Sequence, residues 1–596
     1  MRTLACLALS AFLASCGGGG GGDDADGDAT EDAIDDATDA STEEPSGSHT
    51  FDDEVRVERG EAYAIHIGPD GEITPDPVLN PLDELPDTAA EAVLASPGWI
   101  QEDLARTLWH LEPAQADTLA GFIMAADPLE VDEVAWSIAV TAPQVLSWML
   151  AGNHARLFGE NADAIYAMDG LLTYARLVEL DDMTTLEVDG ETGTYQLDPE
   201  MYYWYVVYPR AYMGLPSYFE GNFWRTMFRI TTPTAPDIAE AVAAAATIQE
   251  AAEAVGYWIQ DIMTFGYGTN ELQPVEIYQN RFGSCGQYSI ITTAAAKTVF
   301  IPTASVSARA DDHEWNELWD GRWIMWDNSL GDMPSNPNYP YIDWPEIMDD
   351  DLYTSGGVFG EVAHVLRYRE DGAIFACDQY TGYEQQVTIT VRDASGDPVE
   401  GARVIARSAE SGYHPCTWSY TDHQGAAVFM LGDDLAFGFT SDHPLFGTQP
   451  PGGVDPTLWT YEDEAPTEDS VAFGDSYARS LTDAGAPAGD HPLTLDFTVL
   501  STEQRRVNVI TEGFDLGDTY PGTFEGGVID VYLVDQAGYD AFAAGGAFDA
   551  YSVHLASEEG SMELTIPAGE DWYVILDNAL WPVSTKFVSV QITSGS

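Results

Sequence analysis

The chain has 596 residues, 45% of them apolar, enough for several buried cores. Its 22 Lys+Arg stand against 100 Asp+Glu, a formal net charge of −78. Such a surface repels phosphate and excludes nucleic acid as a partner.

Arg2 gives a small positive start, and Leu4 to Leu13 is an apolar run too short to span a bilayer as a mature helix. It ends in Leu13-Ala14-Ser15-Cys16-Gly17. This text resembles the lipobox of bacterial lipoproteins, whose processing cleaves before the cysteine and acylates it. The resemblance implies a signal peptide over residues 1–15 and a mature chain beginning at a lipidated Cys16. It also implies a lipid bilayer as partner and a place in the cell envelope. Gly17 stands where some such proteins carry the aspartate that retains them at the inner membrane, so the outer membrane is expected.

Residues 16–50 read as an acidic, disordered tether: Gly17–Gly22 is flexible, and Asp23–Glu44 has no apolar period. Residues 51–249 read as a mostly helical accessory region, entered through short strand-like pieces such as Ala62-Tyr63-Ala64-Ile65. Leu104, Leu108 and Leu111 mark one helical face, and Val134, Ile138 and Val145 another. Asp127-Pro128 and Ala142-Pro143 are breaks. The aromatic, β-branched run Met201–Tyr208 predicts a strand. Ala239 to Met263 predicts one long helix.

Residues 250–350 hold the catalytic candidates. Gly283-Ser284-Cys285-Gly286 precedes an apolar helical stretch running to about Phe300, which puts Cys285 at a helix N-terminus. Exposed amides and the helix dipole favour a thiolate at such a position, and a backbone N–H there can donate to an oxyanion. Further on, Asp312–Trp319 and Arg322–Asp327 read as two strands about an Asp320-Gly321 turn. A strict two-residue turn would put His313 and Asp327 on opposite faces of the sheet. A three-residue loop with a left-handed Gly321 and a bulge restores a common face, and that is the expectation. Thiol, imidazole and carboxylate are the three groups that nucleophilic acyl chemistry on cysteine needs. One cysteine with one nearby histidine closes no metal ligand set, and neither His-Glu-x-x-His nor Cys-x-x-Cys occurs, so no metal and no cofactor is expected.

The segments Gly-x-Cys-Gly-x-Tyr, His-x-Trp-Asn-Glu and Trp-x-x-Trp-Asp-Asn resemble those of the transglutaminase-like superfamily, which has a papain-type fold. The likeness is strong over about 250–335, and weaker at Asp132–Ala135 and Tyr202–Val207. It implies Cys285 as nucleophile, His313 as base and then acid, and Asp327 as its orienter. It implies a protein or peptide substrate and a thioester intermediate. For the second oxyanion donor, position alone offers Gln279 and Asn280.

Residues 385–495 turn to short alternating strands: Gln386–Val391, a Gly396 turn, Gly401–Ala406 and Ala427–Phe429. This resembles immunoglobulin-like, carboxypeptidase-regulatory-like sandwich modules, which act as spacers or binders. Residues 500–596, with Val528–Val534 and Trp572–Leu576, read as a second β-sandwich. The expected fold is therefore multidomain: a helical N-terminal region, an α+β papain-like core and two all-β sandwiches.

There are five cysteines. Cys6 leaves with the signal and Cys16 takes lipid. Cys377 and Cys416 are left as a disulfide in an oxidising compartment or as two buried thiols, and Cys285 as the odd thiol. Two functions fit these readings. One is an exported acyl-transfer enzyme cutting or cross-linking amides. The other is a cell-surface binding or scaffold protein that uses the papain-like domain and the sandwiches for recognition.

Overall fold

The computed structural model describes residues 48–329 and 385–595, short stretches within each excepted, and four strand fragments between them. Cys6, Cys16 and Cys377 lie outside the described residues, as do residues 16–47 of the expected tether and the side chain of Cys416, while residues 48–50 of that tether are strand. The chain divides into two compact units, one chiefly Val78–Tyr477, the other built from segments up to Pro77, Ala478–Glu503 and Gly522–Ser596.

In the first unit, helices Asp87–Ala95, Gln101–Trp109, Pro113–Ala125, Val131–Ala139, Pro143–Ala151 and Leu157–Tyr166 follow the expected periodicity. Pro113 and Pro143 each open a helix, where the missing N–H costs no hydrogen bond. No single described helix is long and apolar enough to cross a membrane. The pair Val131–Ala139 and Pro143–Ala151 passes together on length and composition. It bends by 110°, and Val134, Ile138, Leu146 and Met149 are buried in the protein core.

The run expected as a strand is helical instead. Pro199–Tyr202 is α-helical and Tyr203–Val207 is a π-turn, closed by the Tyr208 N–H on the Tyr203 carbonyl at 2.8 Å. Tyr202 to Tyr208 are all buried, so burial on every side overrides the local β-preference. The long helix expected over 239–263 is also two helices, Ile238–Val242 and Ile248–Ile262. Thr247 starts the second by accepting from the Glu250 N–H at 3.2 Å, while Glu250 reaches back to the Ala246 N–H at 2.7 Å.

A five-stranded antiparallel sheet follows, in the order Trp323–Trp326, His313–Trp319, Thr303–Ala308, Leu366–Tyr368, Ile374–Ala376. The helix Cys285–Thr298 packs on it, buried from Gln287 onward. Val134, Phe158, Tyr203, Ile259, Ile291, Leu318 and Trp326 belong to one hydrophobic cluster. The helical region and the sheet thus share a core, and the division expected near residue 250 is not a boundary in the packing.

Beyond it, two sheets enclose Val387, Ile389, Val404, Phe429, Phe437 and Phe439, a sandwich that includes the strands expected over 386–429.

The second unit is another two-sheet sandwich, and it recruits the entry strands. Ser48–Val57 pairs antiparallel with Ser584–Gly595, and Ala62–Ile67 with Trp572–Asp577. Val55, Ile65, Ile67, Val531, Val574, Val588 and Val590 fill the space between the sheets. Residues 48–75 therefore leave the accessory region, and His491–Gln504 joins this sandwich across the expected 495/500 division. The cause is strand pairing over some five hundred residues of sequence, which no local pattern records.

Candidate active site

The Cys285 helix opens on a capping box. The Gln287 side chain folds back so that Oε1 accepts from both the N–H and the hydroxyl of Ser284, each at 2.9 Å. A Cβ on Gly283 would lie 2.3 Å from the Gln287 Cβ, so this entry requires glycine. Cys285 takes the first helical position, partly exposed, and carries a free thiol.

His313 and Asp327 come from the hairpin. Trp319 pairs with Trp323 and Asn316 with Trp326, so the connection is three residues, Asp320 to Arg322. Gly321 sits in the middle at φ +71°, a conformation glycine adopts without strain. Continued by one residue, this register sets Asp327 opposite Trp315, on the face that His313 shares. His313 Nε2 lies 2.8 Å from Asp327 Oδ2, with side chains 6% and 1% exposed. The imidazole stacks on Trp315 with ring centroids 5.4 Å apart.

Burial by itself pushes the His313 pKa down. The hydrogen bond and charge of Asp327 push it up, the Cys285 sulfur adds to them in the same two ways, and the net value is about 10. Nε2 faces Asp327, which leaves Nδ1 for the sulfur. The structure thus brings Cys285, His313 and Asp327 together.

Several supporting groups were not picked out from the sequence. Ser329 donates to Asp327 Oδ1 from its N–H (2.8 Å) and its hydroxyl (2.6 Å). The hairpin turn is gripped at buried Asp320. Tyr195 Oη donates to Oδ1 at 3.1 Å and the Glu191 N–H to Oδ2 at 3.0 Å. Glu191 lies in the last turn, and Tyr195 on the last strand, of the small sheet formed by Ala175–Leu180, Met183–Gly190 and Gly193–Gln196. Gln279 and Asn280 are exposed at the end of the helix Pro274–Asn280, and sequence position remains their one link to an oxyanion.

Among the described residues no group of three His, Cys, Asp or Glu could hold a metal ion. A cavity of about 620 Å³ in the helical region, lined by residues such as Met124, Leu129, Asp132 and Asp182, contains none of the triad. Cys285, His313 and Asp327 meet instead at the helix–hairpin junction.

Residues 236–328 match the model of the Transglutaminase-like superfamily, a segment that spans Cys285, His313 and Asp327. That segment is a transglutaminase-like domain. No curated protein matches the chain. Similar solved structures include the Bacillus anthracis TIE protein, 9% identical, with 44% of this chain and 40% of that one covered and a TM-score of 0.14. Red sea bream transglutaminase is 11% identical, over 61% of this chain and 72% of that one, with a TM-score of 0.20. The chain thus spans well under half of the TIE protein it matches.

Proposed function

We propose that this chain is an exported, lipid-anchored cysteine acyl-transfer enzyme acting on amide bonds of a protein or peptide. The observation that carries the reading is His313, buried between a carboxylate at 2.8 Å and the one free thiol among the described residues. A histidine in that position is charged at neutral pH and stands beside the sulfur it would serve.

The cysteine sulfur adds to the amide carbonyl, and the Cys285 N–H at the helix start donates to the resulting oxyanion. The imidazolium gives its proton to the departing nitrogen as the C–N bond breaks, leaving a thioester and neutral imidazole. The imidazole then takes a proton from the acceptor, which attacks the thioester and releases the thiolate. Asp327 holds the ring and its charge throughout. Water as acceptor gives a hydrolase; an amine gives a cross-link. Both lysines of the chain, Lys297 and Lys586, are 0% exposed, which supports an amine acceptor, where one is used, from another molecule.

The test is a peptide library incubated with the full chain, with and without a small primary amine, read by mass spectrometry. New cleavage or amide-to-acid products, or amine adducts formed with loss of ammonia, support the reading if Cys285→Ala abolishes them. A library unchanged by the wild-type chain favours the binding and scaffold function instead.

A further inference from the structure

The triad is split between two elements. The hairpin supplies His313 and Asp327, whose mutual hydrogen bond fixes only the two of them. Cys285 rides on a separate helix. The apolar contacts between that helix and the sheet are non-directional and tolerate small slides. A reaction that needs atoms placed to within about 0.5 Å requires directional contacts as well.

Two asparagines make such contacts, and both lie inside the sequence motifs around the triad. Asn316, three residues after His313 and paired with Trp326, is buried beneath the helix. Its Nδ2 donates to the Ser289 carbonyl at 3.0 Å and to Thr293 Oγ1 at 2.9 Å. Asn328 directly follows Asp327, and its Nδ2 donates to Thr292 Oγ1 at 3.1 Å. Ser289, Thr292 and Thr293 are spaced by three and four residues, so they share one face of the helix. They lie within about 12 Å of helix axis from Cys285.

We propose that Asn316 and Asn328 are positioning residues that peg the histidine strand and the aspartate strand to the nucleophile helix. Together they set the approach of the Cys285 sulfur to His313. The inference rests on the enzymatic reading for its purpose, although the pegging is measurable without turnover. A backing wall completes it: Asn328 Oδ1 would lie 3.0 Å from a Cβ on Gly256, so the Ile248–Ile262 helix presses the amide from the other side. One amide per strand resists sliding along the helix, and two resist rotation about either contact.

The test uses the full chain with Thr292→Val, which keeps the shape and removes the hydroxyl, Thr292→Ser, which keeps the hydroxyl, and Asn328→Ala. Three quantities are read: the His313 titration midpoint by NMR, the rate of Cys285 alkylation by iodoacetamide at pH 6, and the thermal midpoint. Thr292→Val and Asn328→Ala are expected to lower the His313 midpoint by about one unit and to slow alkylation about tenfold. Thr292→Ser is expected to rescue both. A fall in thermal midpoint alone, with His313 titration and Cys285 alkylation as in wild type, would mean that the asparagines only stabilise the fold. Absence of turnover with the shifts present would overturn the enzymatic reading and leave the pegging intact.

Discussion

Asp327 divides its carboxylate between two neighbours: Oδ2 holds His313 Nε2 at 2.8 Å, while Oδ1 is occupied by Ser329. The oxygen facing the histidine is thereby fixed in place, and the carboxylate cannot rotate without breaking the Ser329 contacts. Asp327→Asn keeps the shape and removes the charge. The expected result is a loss of about 10³–10⁴ in turnover, the scale for an orienting carboxylate in a triad. Ser329→Ala should cost about tenfold, because the backbone N–H still donates. Single-turnover kinetics of acyl transfer to Cys285 check both.

The raised pKa of His313 fixes a pH dependence. In the unfolded chain a histidine titrates near about 6.5, and in the folded chain His313 titrates near about 10. Below the lower value both states hold the proton, and the full stabilisation is present. Between the two values only the folded state holds it, so stability falls as pH rises, and above the upper value the contribution is gone. Urea unfolding at pH 6, 8 and 10 should show this decline in the wild type and a shallower one in Asp327→Asn. Activity should share an alkaline limb in that range, since the imidazolium is the acid for the departing nitrogen.

The grip on the hairpin turn yields a stability prediction. A Cβ on Gly190 would stand 2.0 Å from Asp320 Oδ1, so Gly190→Ala must displace the carboxylate from Tyr195 and Glu191. A loss of about 1–3 kcal/mol is expected from such overpacking. Tyr195→Phe removes one hydrogen bond and should cost about 1 kcal/mol. Chemical denaturation of the two variants against wild type measures both.

At the other end of the chain, the lipobox-like text gives a prediction independent of the site. Cys16→Ala should move the protein from the detergent phase to the aqueous phase on Triton X-114 partition, because the acyl acceptor is gone. Detergent partition unchanged by the substitution would contradict lipidation at Cys16.

The site was more legible than the architecture around it. Cys285 at a helix start and the three-residue turn at Gly321 followed from glycine placement and the two-residue period of strands, but the expected bulge did not appear, for the ladder from Asn316–Trp326 to Trp319–Trp323 runs without a register shift. Both are local signals. The Met201–Tyr208 run misled because aromatic, β-branched text reads as a strand, whereas burial on every side made it helical. The entry strands were assigned to the wrong neighbour, since Val55 meets Val588 only in the folded chain. Asn316, Asn328 and Ser329 stood in or beside quoted motifs yet carried no role. Nothing in an asparagine's sequence context says whether it faces water or a helix.

The central claim is that Cys285 is a nucleophile activated by His313. An electrophilic peptide ketone probe, applied at neutral pH with mass-spectrometric mapping of the adduct, tests it most directly. The account predicts modification at Cys285, much faster than that of free cysteine and reduced to the free-thiol rate in His313→Ala. Labelling of wild-type Cys285 no faster than free cysteine would contradict it.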